Sequence, residues 1–232
     1  MPYGNMTLDE LARHIGMDAR TVKKWAERGQ LPGVMIASQW RFNRAQLLDW
    51  LQSRLHSFDH KHVRNLERAM SDGNNGVLVS SMLAIEAIDM NLPARSRPSV
   101  LRELIRLAIR TGMVYDEAGI LEAVQEREEQ GSTALPNGIA LPHPRRPQPY
   151  ATAEPLVCLA RVPAGIPFGA PDGWLTDLFF FVCSHDERQH LCVLARLALM
   201  LSGDLPQALR EVEDAHEALA LILDSEKAAL AR

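Results

Sequence analysis

The sequence is poor in cysteine: three in 232 residues, with no Cys-x-x-Cys pair. An odd count without paired spacing argues against a disulfide framework and suits a reducing compartment. No apolar run approaches the ~20 residues that a membrane-spanning helix needs. The opening "MPYGNMTLDELARHIG" has neither the basic nor the apolar region of a secretory signal. These absences predict a cytoplasmic protein with no membrane partner. There is no G-x-x-x-x-G-K-S/T loop, so a P-loop nucleotide site is excluded. Internal repeats and low-complexity tracts are also missing. Cys183, His185, His190 and Cys192 lie close in sequence, but Cys183 ends an apolar run and Cys192 falls within an apolar helix. Their spacing matches no structural zinc pattern, so neither a metal nor another cofactor is expected.

What is there begins with an apolar fraction of 47%, ample for a buried core. The net charge of −4 averages two unlike parts. Residues 1–68 hold 11 Lys and Arg against 7 Asp and Glu, whereas residues 69–232 hold 14 against 22. The first part can approach a polyanion; the second would repel one.

Residues 1–56 read as a small helical domain. Thr7 and Glu10 make a capping box ahead of Leu8, Leu11, Ala12 and Ile15, and Gly16 ends that helix. Asp18 caps a second helix that buries Val22, Trp25 and Ala26 and stops at Gly29. Val34–Ile36 and Trp40–Phe42 are short strands around Ser38-Gln39, and Asn43 caps a third helix. Helix, turn, helix, hairpin, helix is the order of a winged helix-turn-helix. Residues 57–76 read as a partly helical connector. The spacing of Leu48, Leu51, Leu55 and Phe58, continued by Val63, Leu66 and Met70, allows either one long helix or dimer seam, or a helix packed on its own domain. His56, His60 and His62 read as solvated. "SDGNNG" (71–76) is the expected domain boundary.

Residues 77–232 alternate strands and helices, which predicts an α/β domain with a mixed β-sheet flanked by helices. "AIEAID", "GIALP", "PLVCLARV" and "LTDLFFFVC" are the strand candidates. Ser184 and Glu187 are read as the capping box that opens the buried helix "DERQHLCVLARLALML".

Two groups of residues carry chemistry. The second helix of a helix-turn-helix enters the DNA major groove. Here it presents Arg20, Thr21, Lys23, Lys24 and Arg28, and the hairpin region adds Gln39, Arg41 and Arg44. Arginine reads guanine, threonine meets the thymine methyl, and lysine neutralises phosphate. One basic helix by itself could equally be a solvated face. The whole unit, "TLDELARHIGMDARTVKKWAERGQLPGVMIASQWRFNRAQLLDWL", resembles the excisionase/MerR-like winged helix family, which implies binding to double-stranded DNA. A lone module neutralises few phosphates, so a homodimer or tandem sites are expected.

The second group centres on "GSTALPNGIALPHPRR". A neutral imidazole is a good nucleophile near pH 7. His143 sits between Pro142 and Pro144, which stiffen its backbone. Ser132 and Thr133 offer hydroxyls and Arg127 a guanidinium, the groups that handle phosphate. "REEQGSTALPNGIALPH" resembles the signature of the enzyme IIA domain of the bacterial phosphoenolpyruvate-dependent phosphotransferase system, of the fructose/mannitol/nitrogen-regulatory type. The similarity continues through "SVLRELIRLAIRTG", "LTDLFFFV" and "HLCVLARLALML". It implies that His143 accepts a phosphoryl group from the histidine-containing phosphocarrier protein. It further implies that His190 hydrogen-bonds that group and that Arg127, Ser132 and Thr133 belong to the site. Pro136 stands where the family usually has glycine, and Pro144-Arg145-Arg146 where a small residue usually follows the histidine. The joint expectation is a DNA-binding regulator with a phosphorylatable domain. The alternatives are a phosphocarrier serving a sugar-transporter IIB domain and a phosphorylation-dependent binder of a regulated protein.

Overall fold

The computed structural model describes residues 5–71 and 78–231, which fall into two compact units. The expected boundary "SDGNNG" lies outside the described residues from Asp72 onward.

In the N-terminal unit, β1 (Asn5–Met6) leads into α1 (Leu8–His14). The Thr7 hydroxyl accepts from the Glu10 N–H at 3.3 Å, and the Glu10 carboxylate accepts from the Thr7 N–H at 2.8 Å, the reciprocal cap read in the sequence. Gly16 turns the chain at φ +67°, and a Cβ there would lie 2.3 Å from the Asn65 carbonyl oxygen. Asp18 caps α2 (Ala19–Glu27) by accepting from the N–H groups of Arg20 and Thr21. Next, β2 (Val34–Ile36) and β3 (Gln39–Asn43) form an antiparallel hairpin, with β1 on the other side of β3. The hairpin turn is Ala37-Ser38, both at positive φ, one residue earlier than expected, because Gln39 already pairs with Ile36. Asn43 caps α3 (Arg44–Arg54).

No single long helix follows. A 3-10 turn at Leu55–Ser57 and an extended Phe58 break the chain before α4 (His60–Ser71). Phe58 turns inward instead, and its ring stacks on Trp25 at 5.7 Å and meets Trp50 at 5.6 Å. Trp25 is half-exposed rather than buried, as the edge of this cluster. His62, expected to be solvated, joins the cluster 5.6 Å from Trp25 and holds Asp59 at 2.7 Å through Nδ1; the side chain of His56 lies outside the description. With Val63, Leu66 and Met70 buried, α4 packs on α1, so its apolar stripe is used within its own unit.

The C-terminal unit has a five-stranded sheet. After two 3-10 turns comes β4 (Ile88–Asp89), shorter than the strand expected from "AIEAID". Ser96 caps α5 (Arg97–Ile109), with Pro98 in its first turn, and Asp116 caps α6 (Glu117–Glu129). The remaining strands are β5 (Ala134–Leu135), β6 (Ile139–Ala140), β7 (Leu156–Ile166) and β8 (Thr176–Cys183). Their order is β4-β7-β8-β6-β5; β7–β8 and β5–β6 are antiparallel, β4–β7 and β6–β8 parallel. The chain closes with α7 (Glu187–Leu201), α8 (Leu205–Glu211) and α9 (Ala215–Leu230). Helix α5 packs on β7, α7 on β8, and α9 on α7 and β4. The cap of α7 is Asp186, which accepts from the Gln189 N–H at 2.8 Å, and not the expected Ser184.

Residues Phe179–Val182 are fully buried, and α7 is buried on nearly every face. That burial includes Arg196, which donates to Glu226 of α9 at 3.0 Å. Glu226 also accepts from the N–H groups of Leu78, Val79 and Ser80, so one carboxylate joins α7, α9 and the start of the unit. A charge pair this deep persists only with such additional hydrogen bonds. Among the described residues, no single helix is long and apolar enough to cross a membrane.

Candidate functional site

His143 lies just past β6, and its backbone is held from both sides. The Leu141 N–H donates to the Thr133 carbonyl at 3.1 Å, and the Pro142 carbonyl accepts from the Val182 N–H of β8 at 3.0 Å. Prolines at 142 and 144 narrow the remaining freedom. The imidazole is 3% exposed, and Nδ1 lies 2.6 Å from the Leu141 carbonyl oxygen. A carbonyl oxygen can only accept, so Nδ1 carries the proton and Nε2 the lone pair.

His190 occupies the first turn of α7 and is 1% exposed. The two imidazoles lie 5.0 Å apart between centroids, tilted by 58°. The Nε2 atoms of both rings are buried and make no hydrogen bond. Burial holds both pKa values down. His143 sits well below the ordinary histidine value, through desolvation first and then the nearby His190 and Arg127. His190 is lowered to about 4, by desolvation and Arg127, against a smaller opposing pull from Asp186. Both rings are therefore neutral at pH 7. A buried polar atom left without a partner is costly, so two in adjacent rings mark a place built for something else.

Arg127 lies in the last turn of α6, is buried, and donates to the Gly131 carbonyl at 2.9 Å. Its charge reaches both histidines. Ser132 and Thr133 are near in sequence but are occupied differently from expectation. The Ser132 hydroxyl donates to the Phe168 carbonyl at 2.6 Å, and the Thr133 hydroxyl to Glu128 at 2.7 Å. Each has one proton to give, so in this conformation neither can donate it to a phosphoryl oxygen. They shape the loop beside the histidines.

The sequence reading missed Glu128 and Arg97. Glu128 is buried, and burial pushes its carboxyl up despite the bonds from Thr133. Arg97, the first residue of α5, donates to the Phe168 carbonyl and lies 4.0 Å from Glu128. Glu128 stands in an acidic run and Arg97 lies 31 residues before it, so nothing local separates them from solvated charges. Among the described residues, no three His, Cys, Asp or Glu side chains are grouped as a metal site requires.

In the N-terminal unit, Arg20, Lys23 and Lys24 of α2 and Arg28 at its C-cap are exposed, as is Arg44. Thr21 is committed to the cap, its hydroxyl donating to Asp18 at 2.6 Å. Arg41 donates to the Gln39 side chain at 2.7 Å, which joins these two hairpin residues in one polar group.

Residues 81–225 match the family described as phosphoenolpyruvate-dependent sugar phosphotransferase system, EIIA 2. The chain belongs to this family. Residues 6–55 match a helix-turn-helix domain family, so the EIIA unit here carries a helix-turn-helix unit ahead of it. A nitrogen regulatory protein of Bradyrhizobium diazoefficiens is 33% identical over 142 residues, covering 59% of this chain and 89% of that protein. The fructose-specific EIIABC component of Bacillus subtilis is 24% identical over 152 residues, 64% of this chain but only 24% of that longer protein. The crystal structure of the nitrogen regulatory protein IIA-Ntr from Neisseria meningitidis superposes with a TM-score of 0.58 at 26% identity. That alignment covers 63% of this chain and 99% of that one. The mixed sheet flanked by helices is thus the EIIA fold.

Proposed function

We propose that His143 accepts a phosphoryl group on Nε2 from a histidine-containing phosphocarrier protein, and that the helix-turn-helix unit binds duplex DNA. The observation that carries the first part is the pair of buried, unpartnered Nε2 atoms on His143 and His190, with Nδ1 of His143 fixed by Leu141.

In the transfer, the Nε2 lone pair forms a new N–P bond as the N–P bond of the donor breaks. That bond's electron pair returns to the donor ring, and the Nδ1 proton of His143 stays on Nδ1, hydrogen-bonded to the Leu141 carbonyl. Arg127 offsets the incoming charge, and His190 lies where a proton on its Nε2 would bind a phosphoryl oxygen. The N-terminus of α7 adds its dipole. Since Nε2 is sealed from solvent in this conformation, the donor reaches it only as neighbouring side chains part. The same seal keeps water from the phosphoryl group afterwards.

The basic, exposed face of α2 supports the DNA half of the proposal, with Arg41 and Arg44 as flanking contacts. The protein is then a cytoplasmic, dimeric regulator whose DNA contacts respond to the negative charge added at His143.

The test uses phosphoenolpyruvate, enzyme I and the phosphocarrier with the full chain. Wild type should take up phosphate and His143→Ala none. His190→Ala should react roughly 100-fold more slowly, as loss of an electrostatic donor does. Labelling of His143→Ala at the wild-type rate would refute the assignment.

A further inference from the structure

Glu128 is a buried acid that the proposed transfer leaves unused. Its two carboxylate oxygens accept from the Thr133 N–H at 3.1 and 3.2 Å, and one of them also accepts from the Thr133 hydroxyl at 2.7 Å. The Thr133 carbonyl accepts from the Leu141 N–H at 3.1 Å. The Leu141 carbonyl accepts from Nδ1 of His143 at 2.6 Å. A continuous line of hydrogen bonds therefore runs from the carboxylate to the side of the imidazole away from the reacting nitrogen. Thr133 sits where the β5–β6 pair ends, so whatever holds Thr133 also holds the last bond before His143.

We propose that Glu128 is a positioning residue for His143, acting through Thr133 and Leu141 to keep the imidazole in the tautomer whose Nε2 carries the lone pair. This rests on the reading of His143 as the phosphoryl acceptor. A free imidazole populates both tautomers. In the wrong one, Nδ1 would turn a lone pair toward the Leu141 carbonyl, and Nε2 would carry a proton where the phosphorus must bind. The carbonyl selects against that tautomer only while it stays in place. Glu128 is suited to the task because one of its oxygens accepts from both Thr133 donors while the other also accepts from the Thr133 N–H. Arg97 faces it from α5, and Ser132 from the adjoining loop ties to the same Phe168 carbonyl as Arg97. The outer partners of reactive histidines act in this way at metal sites, where they fix ring orientation and tautomer.

The experiment compares full-length wild type, Glu128→Ala and Glu128→Gln. The readouts are the ring 15N shifts of His143, which report the tautomer, and the rate of phosphoryl transfer from the phosphorylated carrier. Glu128→Ala should show a mixed tautomer and transfer at least about tenfold slower, while Glu128→Gln, whose amide oxygen can still accept from Thr133, should return to within about threefold of wild type. A purely structural role would lower thermal stability but leave the tautomer unchanged. A folded Glu128→Ala with the wild-type tautomer and rate would overturn the proposal, as would a Gln variant as impaired as Ala. If Glu128→Ala does not fold, Thr133→Val replaces it, since it removes only the hydroxyl leg. A mixed His143 tautomer there supports the proposal, and an unchanged one overturns it. Should wild type itself take no phosphoryl group, the functional reading fails, while the tautomer comparison still decides the role of Glu128.

Discussion

At the scale of single residues, the candidate site withholds water and charge from two imidazoles. Burial keeps His143 and His190 neutral, which suits the acceptor role proposed for His143. That arrangement weakens the fold in acid. A histidine whose folded pKa lies below its unfolded value is protonated more readily in the unfolded chain. Its contribution is therefore fully present above about pH 6.5 and is lost as pH falls toward the folded value. For His190 the window runs from about 6.5 down to about 4, and the loss over it is on the order of 3 kcal/mol. Urea unfolding of the unphosphorylated chain should show stability dropping between pH 6.5 and 4.5, with a shallower drop in His190→Gln. Equal pH slopes for the two proteins would contradict the buried, neutral state assigned to His190.

At the scale of elements, local signals were legible and distant ones were not. The caps at Thr7, Asp18 and Asn43 were readable because a cap is written within four residues of the helix it starts. The stretch that carries the EIIA resemblance is legible for the same reason, since Arg127 through His143 is one continuous run. The committed hydroxyls of Ser132 and Thr133 were not, because their acceptors depend on Phe168 and on the burial of Glu128. The start of α7 was misread because Ser184 and Asp186 are both good caps, and only the folded geometry selects Asp186. Helix α4 shows the same limit. Its apolar stripe was visible, yet the partner of that stripe, α1, lies some 50 residues earlier. Gly16, just past α1, lies against Asn65 and Ala69 of α4. Gly16→Ala should destabilise the N-terminal unit by roughly 2 kcal/mol or more, since it adds left-handed strain to a clash with the Asn65 carbonyl. The measurement is the helical signal of the full chain under denaturant. A change below about 0.5 kcal/mol, the ordinary range for an innocuous surface substitution, would show that the contact is looser than described.

At the scale of the whole molecule, the charge asymmetry seen in the sequence belongs to two separately folded units. The helix-turn-helix unit exposes Arg20, Lys23 and Lys24 on α2 and Arg28 at its C-cap. If these four neutralise phosphates, the log of the DNA association constant should fall with log salt at a slope of roughly −4 per protomer, and Lys23→Ala should reduce the slope by about 1. A full chain whose binding to duplex DNA is absent or insensitive to salt would remove the DNA half of the account. The phosphotransferase half stands apart from that result, because the histidine pair lies wholly within the EIIA unit. Its central claim concerns one atom. The most direct measurement is the long-range 1H–15N spectrum of the chain after phosphorylation by the carrier protein, which identifies the ring nitrogen bonded to phosphorus. The account predicts a phosphoryl group on Nε2 of His143 with Nδ1 still protonated; phosphorylation at Nδ1, or at any other residue, would contradict it.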